Sequence, residues 1–534
     1  MKTNTSSSPG SVPDVFLSKF GSDIQGAISG FDRLRLRGTL RHLFQPTVME
    51  AYLNACRVLI KDFGRFAEGI THRIKAAVYQ LAEKSRRPYR YLLSSQIAKE
   101  EVAREIARKD RLEQGLIAIL GCVEPCLSYV VRGSRETQHI HMELAQRKCT
   151  HFYFYYLHPV LGFMHLRLQS WFPFTININL NGREWLARQL DQAGVTYKKK
   201  QNCFVWIEDL AKAQALLDQQ WRTDWRPLLN GLLQECHPLH QEICRPIHQE
   251  YYWSASDTEY ATDVLFKDPA GLGRWYPRFV QHGISSFASP DVMRFLGRNV
   301  PTTTGKVNGH FKGEIISDLK HRPEGIRVKH SLNSNSIKVY DKQGSVLRVE
   351  TTIVRPQEFR VRRTVEGDTQ GKKDWRILRR GIADLPRRAE VSHAANQRYL
   401  TALASVTGTI RMAEVAQEIC QPIVREGKRY RAINPWGKED GALLEAISRG
   451  EFAINGLRNR DLQRLLYKTK PTEIEQRRRA GAVTRKLRLL RGHGLLKKVS
   501  GTHRYVLTPK GRDIATALLA ARHADVEKLS NLAA

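Results

Sequence analysis

The sequence is short of acidic residues and of cysteine. Its 534 residues include 53 Asp and Glu against 86 Lys and Arg, which gives a formal charge of +33. An excess of this size points to nucleic acid as the partner and away from acidic small molecules. The eight cysteines follow no framework spacing, which excludes a disulfide-stapled secreted domain and predicts a reduced, cytoplasmic location.

Long apolar runs are lacking as well. The longest, 152–174, is interrupted by His158, His165, Arg167 and two prolines, so it cannot span a membrane. We find no amphipathic anchor and no lipidation motif, and therefore expect no membrane partner. Residues 1–31 lack the apolar core and cleavage site of a secretory signal and are predicted to be a flexible leader.

Common nucleotide and hydrolase motifs are also missing. The chain has no P-loop, dinucleotide fingerprint, Gly-x-Ser-x-Gly elbow or HExxH. Nucleotide-driven motors and hydrolases of those types are therefore excluded, and no organic cofactor is expected. Hydrophobic residues make up 41% of the chain, which is ample for packed cores. The length predicts about three domains.

The most informative stretch is 477–512, which holds twelve Lys and Arg and no Asp or Glu. Val483, Leu487 and Leu490 recur at helical spacing, and Gly492 then ends the helix. Two short alternating strands follow, and a helix after them begins with a Thr-Pro start signal. Helix, hairpin and helix in this order are typical of a winged helix-turn-helix.

An upstream helix beginning at Asn459 or Asp461 would complete this module. Basic side chains on the recognition helix and at the wing tip are the predicted nucleic-acid contacts: Arg485, Lys486, Arg488, Arg491, His503 and Arg504. Charge this one-sided is costly unless phosphate neutralises it, which favours nucleic-acid binding over an ordinary basic helix. The stretch LRLLRGHGLLKKVSGTHRYVLTPKGR resembles the winged-helix domains of bacterial DNA-binding regulators, the MarR-like class in particular, which implies DNA as the ligand.

Changes in composition and hydrophobic periodicity divide the rest of the chain into segments. The predicted fold class is multidomain α+β. The predicted segments are the leader at 1–31, a basic helical region at 32–120, a mixed α/β central domain at 121–365, a charged linker with helices at 366–450 and the winged-helix domain at 451–534. The central domain is dense in aromatic residues, namely Tyr153, Tyr155, Tyr156, Trp171, Phe172 and Phe174. These would either stack unpaired bases or, as alternate aromatics in strands more often do, fill a core.

Residues 326–353 read IRVKHSLNSNSIKVYDKQGSVLRVETTI and predict a three-stranded antiparallel meander. Its K-x-Y-x-K strand followed by an R-x-E strand resembles rolling-circle replication initiators of the gene II/X type. That resemblance implies association with a mobile element and a nucleic-acid site near four residues: Tyr340, Lys342, Arg348 and Glu350. Alternation puts Lys338 on the same strand face as Tyr340 and Lys342, so Lys338 is a further predicted nucleic-acid contact. Such initiators also carry a metal-binding His-x-His pair, and His139-Ile140-His141 matches that pattern. The residues around it predict a loop that enters a helix.

A group of carboxylates supports an enzymatic alternative. Glu259 and Asp263 lie four apart in WSASDTEYATDVLF, a stretch predicted to be helical, and would share one face. Together with Glu350 they would form a nuclease-type cluster that holds Mg²⁺. The candidate catalytic residues are therefore Tyr340, Glu350, Glu259 and Asp263, and the competing interpretation is that these acids are ordinary surface residues.

The leading prediction is a DNA-binding protein, with RNA as the alternative ligand. A metal-dependent nuclease or nicking replication initiator is the second hypothesis, and a ligand-responsive transcriptional regulator is the third. Along nearly its full length the chain also resembles a family of uncharacterised bacterial proteins. The blocks GFDRLRLRGTLR, WSASDTEYATDVLF and NSIKVYDKQGSVLRVETT carry that resemblance, which implies a chain layout without an activity.

Overall fold

In a computed structural model the chain divides into two compact units. Unit 1 is Met1–Val300 with Val307–Ser405, and unit 2 is Val406–Ala534 with Pro301–Lys306. The structure describes residues 12–134, 139–298, 313–322, 325–364, 373–406, 417, 419–425, 427–449, 452, 456–467, 469 and 471–522. Both units combine helices with sheet, so the predicted multidomain α+β class is confirmed.

Unit 1 is built on a large mixed sheet. The described strands of unit 1, in chain order, are β1 Ile24–Thr39, β2 Tyr89–Leu92, β3 Gly115–Gly133, β4 Ile140–His158, β5 Gly162–Gln169, β6 Ile176–Asn181, β7 Tyr197–Lys199, β8 Phe204–Ile207, β9 Tyr252–Phe266, β10 Ile315–Arg322, β11 Gly325–Leu332, β12 Asn335–Lys342, β13 Val346–Ile353, β14 Arg360–Thr364 and β15 Lys373–Ile377. Eleven of them hydrogen-bond in the order β10-β11-β12-β13-β9-β1-β6-β5-β4-β3-β2. Only the β2–β3 pair within this sheet is parallel.

Helices cover this sheet and close its core. The described helices of unit 1 are α1 Asp14–Phe20, α2 Pro46–Ala55, α3 Phe63–Lys84, α4 Lys99–Lys109, α5 Gly182–Gln192, α6 Leu210–Arg222, α7 Trp225–Cys236, α8 His240–Cys244, α9 Pro269–Ser285, α10 Ser289–Phe295 and α11 Leu385–Leu403. Close packing of α6 on β1 requires glycine, because a Cβ at Gly26 or Gly30 would collide with Leu210 or Leu217. In the strand order of the sheet, β9 and β1 occupy the middle positions.

The predicted helical region at 32–120 was wrong at its start. Residues 32–39 belong to strand β1, in which buried Leu34 and Leu36 alternate with the more exposed Arg33 and Arg35. The period is two, which defines a strand, rather than the three-to-four spacing of a helix. The predicted boundary at 120/121 falls inside β3, so it separates no domain.

Two other predictions of local structure were also wrong. WSASDTEYATDVLF lies in strand β9 and not in a helix. His139 and His141 sit at the start of strand β4, not in a loop entering a helix. By contrast, the three predicted meander strands correspond to β11, β12 and β13, and their pairing is antiparallel as expected.

The predicted leader and linker each fall partly outside the described residues, which begin at 12 and omit 365–372. Within the described part of the leader, Phe16 and Phe20 of α1 are fully buried and pack on Phe279. Within the described part of the linker, α11 buries Tyr399 and Leu400 in unit 1. The leader and residues 373–405 of the linker therefore contribute to the core of unit 1, whereas residues 406–450 of the linker belong to unit 2.

Unit 2 contains short strands and four described helices. The elements are β16 Ile423–Arg425, β17 Lys428–Tyr430, α12 Lys438–Ile447, β18 Leu457–Arg458, α13 Asn459–Leu466, α14 Glu473–Gly492, β19 Leu496–Lys498, β20 Arg504–Leu507 and α15 Pro509–Arg522. Strands β18, β20 and β19 form one antiparallel sheet in that order. The predicted helix positions, the turn between β19 and β20 and the start of α15 after Thr508 all agree with these bounds.

A small apolar core holds unit 2 together. Val483, Leu487 and Leu490 of α14 are buried against Leu462 of α13 and Ile514 of α15. These are the residues whose spacing predicted the helix. Among the described residues of both units, no helix is long and apolar enough to cross a lipid bilayer.

Candidate functional site

Three carboxylates from three neighbouring strands converge in unit 1. They belong to Asp32 of β1, Glu259 of β9 and Glu350 of β13, and one oxygen of each lies within 4.8 Å of the other two. Within the described residues this is the one such group of three potential metal ligands. An irregularity in the β1–β9 pairing between Phe31 and Arg33 accompanies the placement of Asp32 beside Glu259.

Strand β12 adds a tyrosine and a lysine to this carboxylate cluster. The Tyr340 hydroxyl donates a hydrogen bond to Glu350 Oε2 at 2.7 Å. The Lys338 Nζ atom lies 2.6 Å from Glu350 Oε1 and 3.5 Å from Glu259 Oε1. Lys338 stands directly opposite Glu350 in the β12–β13 ladder, so strand register sets this contact.

Burial and neighbouring charge separate the titration of the two glutamates. Burial, reinforced by Glu350, raises the pKa of Glu259 to about 7. Burial alone would raise the pKa of Glu350, but Lys338 and Arg348 hold it below its usual value. Burial and then Glu350 raise the pKa of Tyr340 well above its ordinary value. Near neutral pH the cluster therefore holds a neutral phenol and a charged Glu350, and the pKa of Glu259 lies far above that of Glu350.

Buried ion pairs hold the carboxylate cluster in position. Arg348 bonds to Asp263 through Nε and Nη2 at 2.6 and 2.8 Å, and through Nη1 to Asp32 at 3.1 Å. Arg183 Nη2 lies 2.9 Å from Asp263 Oδ2. Arg348, Arg183 and Asp263 are all fully buried. This network holds Asp32 in position, while Arg348, Arg183 and Asp263 themselves are shielded from solvent.

The network corrects two predicted site residues. Arg348 does not contact nucleic acid, because its guanidinium is buried and occupied by two carboxylates. Asp263 is not a catalytic or metal-binding carboxylate, because both of its oxygens accept hydrogen bonds from guanidinium groups. Glu259 and Asp263 do share a face as predicted, although the reason is strand alternation.

Asp32 was missed in the sequence because FDRLRLRGT was interpreted as a helix. The alternation of apolar with basic residues was the available signal for a strand, but strict alternation would put Asp32 on the side of the leucines. The irregularity between Phe31 and Arg33 that accompanies its placement beside Glu259 has no local sequence signal. Asn202 was missed too, and its Nδ2 donates to both carboxylate oxygens of Asp32 at 3.1 and 3.2 Å. No local pattern identifies that contact.

The remaining predicted residues of unit 1 have mixed outcomes. Lys342 lines a cavity of about 290 Å³ together with Arg322, Arg327, Lys338 and Tyr340. This basic cavity borders the carboxylate cluster on the β12 side. The aromatic residues of the central domain form core, as the favoured interpretation held, and Trp171 alone among them is half-buried. In the part of the chain that the structure describes, neither histidine of the His-x-His pair joins a group of three metal ligands.

Helix α14 presents a basic surface in unit 2. Arg485, Arg488 and Arg491 are exposed, while Lys486 is partly covered and lies 3.0 Å from Glu439. His503 is exposed in the turn between β19 and β20, and Arg504 is half-buried in β20. The helix begins with a capping box in which Thr472 Oγ1 accepts the Glu475 N–H and Glu475 accepts the Thr472 N–H.

Comparison of the chain with protein-family models, with curated proteins and with solved structures found no match. The geometry and charge of the two sites therefore carry the functional argument.

Proposed function

We propose that the chain binds nucleic acid and that unit 2 acts as a winged helix-turn-helix on duplex DNA. The observation that carries this proposal is the exposed arginine row of α14, Arg485, Arg488 and Arg491. These residues recur every three positions and so lie along one side of the helix, opposite the buried leucines. An α-helix fits the major groove, and arginine is the side chain that most often reads guanine there.

The strands after α14 supply the second part of the proposed interface. Lys497 and Lys498 are exposed on β19, and His503 is exposed in the following turn. In this arrangement α14 would read base edges while the hairpin contacts the phosphate backbone. Each cation that neutralises a phosphate releases a condensed counterion, so affinity should depend steeply on salt.

The test is fluorescence anisotropy on labelled duplex DNA with an alanine variant of α14 that changes Arg485, Lys486, Arg488 and Arg491. We expect this variant to bind about a hundredfold more weakly at moderate salt. A matched control removes four exposed cations of unit 1, namely Arg73, Arg132, Lys212 and Arg226. Equal loss in both variants would mean that only net charge matters, and unchanged binding by the α14 variant would remove this helix from the interface.

We further propose that unit 1 cleaves phosphodiester bonds at the carboxylate cluster. The observation that favours this second function is the convergence of Asp32, Glu259 and Glu350 with the Tyr340 hydroxyl on Glu350. Oxygen-only donors of this kind suit Mg²⁺ or Mn²⁺. The fit has a condition: Lys338 Nζ now balances the charge of Glu350 and Glu259, so a divalent ion must displace that ammonium group.

Asp32, Glu259 and Glu350 would hold the ion, which when bound would stabilise negative charge on the reacting phosphate. The protein side chains have separate tasks. Glu350 accepts the hydrogen bond of the Tyr340 hydroxyl, which fixes the phenol beside the site. Arg348 fixes Asp32. Lys338, once displaced, remains beside the site as a cation for the phosphate.

The direct test is incubation of labelled single-stranded and duplex DNA with the protein and Mg²⁺ or Mn²⁺. Cleavage that stops on chelation is the expected result. Absence of cleavage with either ion on both substrates would contradict this second function, and it would leave duplex binding by unit 2 intact as a separate proposal.

A further inference from the structure

A second cavity of about 290 Å³ opens beside the carboxylate cluster, on the β1–β6 side. Its polar wall is formed chiefly by three arginines and three asparagines: Arg33, Arg35, Arg104, Asn179, Asn181 and Asn202. Phe163 lines it as well, with the Arg104 guanidinium 3.8 Å from the ring centroid. Neither the proposed duplex contacts nor the proposed cleavage chemistry uses these six polar residues.

Strand alternation builds this wall from two short sequence blocks. In DRLRLRG the arginines alternate with leucines, and in ININLNG the asparagines alternate with isoleucine and leucine. The β1–β6 ladder sets Arg33 opposite Asn181 and Arg35 opposite Asn179. The apolar partners Leu36 and Ile178 are fully buried on the other face. A guanidinium and an amide therefore repeat side by side across two strands.

The arginines of the wall are suited to phosphate. Their side chains are 39%, 48% and 46% exposed at Arg33, Arg35 and Arg104. Arg33 pairs with Asp257 and Glu259, Arg35 with Asp257, and Arg104 with Glu100 and Glu184. The Arg104–Glu100 pair is exposed on both sides, and a pair of that kind is worth roughly 0–1 kcal/mol, so an incoming anion can replace the carboxylate. A guanidinium binds phosphate in a bidentate manner, which adds direction to the attraction.

The amides offer both a donor and an acceptor. Asn202 donates to Asp32 through Nδ2, while its Oδ1 is buried and accepts no hydrogen bond from the residues that the structure describes. Asn181 caps α5 with its Oδ1, which accepts the N–H groups of Arg183 and Glu184, so its NH₂ group remains as a donor. Such a pair matches the donors and acceptors on the edge of a nucleobase.

The size of the cavity favours a single nucleotide over a duplex. Its volume is at the lower end of small-molecule sites, which run from roughly 300 to 1,000 Å³. Bases in a duplex are stacked and cannot enter a cavity, whereas an unpaired base can. The carboxylates Asp32 and Glu259 line the same cavity, so a nucleotide there would lie next to the proposed cleavage site.

We propose that this cavity holds one unpaired nucleotide of a single-stranded DNA substrate. Arg35 and Arg104 bind its phosphate, and Asn181 and Asn202 face its base. Asn179, whose Nδ2 lies 2.8 Å from His165 Nε2, lines the wall beside them. This proposal rests on the proposed nucleic-acid function and assigns unit 1 a substrate class, single-stranded DNA, which differs from the duplex assigned to unit 2.

The test measures the affinity of the full-length protein for a short fluorescent single-stranded oligodeoxynucleotide and for its duplex form, in EDTA so that no cleavage occurs. The variants are Arg35→Gln and Asn179→Leu, and the control is Arg73→Gln, an exposed arginine that pairs with Glu242 as Arg35 pairs with Asp257. We expect Arg35→Gln to weaken single-strand binding about tenfold, the size of one lost charge-assisted contact, and Asn179→Leu to weaken it by less, with duplex binding unchanged in both. Arg35→Gln alters an exposed side chain, so misfolding is not expected to obscure its result.

Unchanged single-strand affinity in both variants would overturn the proposal, as would failure of the wild type to bind the single strand. Competition by free deoxynucleoside monophosphates as strong as that by the unlabelled strand would also overturn it, because the cavity would then bind free nucleotides. Loss of duplex binding only, in the α14 alanine variant, would leave this cavity untouched. Failure of the two proposals is therefore distinguishable.

Discussion

Unit 1 contains two clusters made of the same three residue types, and they differ in one respect. In the first, Glu350 accepts from Tyr340 and pairs with Lys338. In the second, Glu124 accepts from the Tyr153 hydroxyl at 2.6 Å and pairs with Lys99 at 2.9 Å. Within the described residues, the group of three converging carboxylates forms around Glu350 and not around Glu124.

The difference changes what each cluster does. Glu124 lies beside two cations, Lys99 and Arg167. Burial alone would raise the pKa of Glu124, but the hydrogen bonds from Tyr153 and Lys99 hold that pKa below its usual value. That cluster is internally neutralised. Around Glu350 the added carboxylates crowd negative charge, and the pKa of Glu259 rises to about 7 as a result of burial and of Glu350. A tyrosine–glutamate–lysine group is thus a structural contact by itself and a candidate cation site when further carboxylates join it.

The largest expected difference between the clusters is in cleavage. Glu350→Gln should lower metal-dependent cleavage of single-stranded DNA by about a thousandfold, because a ligand worth several kcal/mol is lost. Glu124→Gln removes the same charge from the matched cluster and should leave the rate within about threefold. Rates are measured by gel analysis of end-labelled DNA. If Glu350→Gln retains cleavage, that carboxylate is not an essential ligand.

The arginines that serve the two clusters should differ in their effect on stability. Arg348→Met leaves Asp263 buried with one partner fewer and should cost about 3–5 kcal/mol of unfolding free energy. Arg167→Met, at a site whose side chain is 27% exposed, should cost about 1 kcal/mol. Urea unfolding followed by tryptophan fluorescence measures both. Similar losses of unfolding free energy in the two variants would show that the buried network around Arg348 stabilises the fold no more than the Glu124 cluster does.

A smaller effect is expected in the pH dependence of metal binding. The pKa of Glu259 is raised from 4.5 to about 7, so folding favours its protonated form and its contribution to stability declines as pH rises between those values. A carboxyl group must lose its proton to bind an ion. The rise in melting temperature caused by Mg²⁺ should therefore be small below pH 7 and larger above it. Glu259→Gln should remove this dependence, and a Mg²⁺ effect equal on both sides of pH 7 would count against the cluster as the binding site.

The sequence was sufficient to predict the helices and strands that are marked by local patterns, such as alternation, helical spacing and capping residues. The meander has period-two alternation and two polar turns, and its three strands were predicted closely. In unit 2, the spacing of Val483, Leu487 and Leu490 and the start signal at Thr508 defined α14 and α15 for the same reason. Where spacing and capping residues agree, local structure follows without knowledge of the fold.

The candidate site depended on contacts that no local pattern reveals. Asp32 and Arg348 are 316 positions apart and meet only because β9 lies between β1 and β13 in the sheet. Glu259 and Asp263 fit a helical face and a strand face equally well, since residues four apart share a side in both. Arg348 was predicted to contact nucleic acid from the resemblance of the R-x-E strand to replication initiators, and no local pattern pairs it with the buried Asp263.

The measurement that tests the central claim most directly is the salt dependence of duplex binding by the wild-type protein. If unit 2 binds DNA through its exposed arginines and lysines, log K should fall linearly with log salt concentration, with a slope of about −0.9 for each phosphate contacted. Four or more contacts predict a slope near −4, and the α14 alanine variant should lose most of it. A shallow slope, or equal slopes for wild type and variant, would contradict the account.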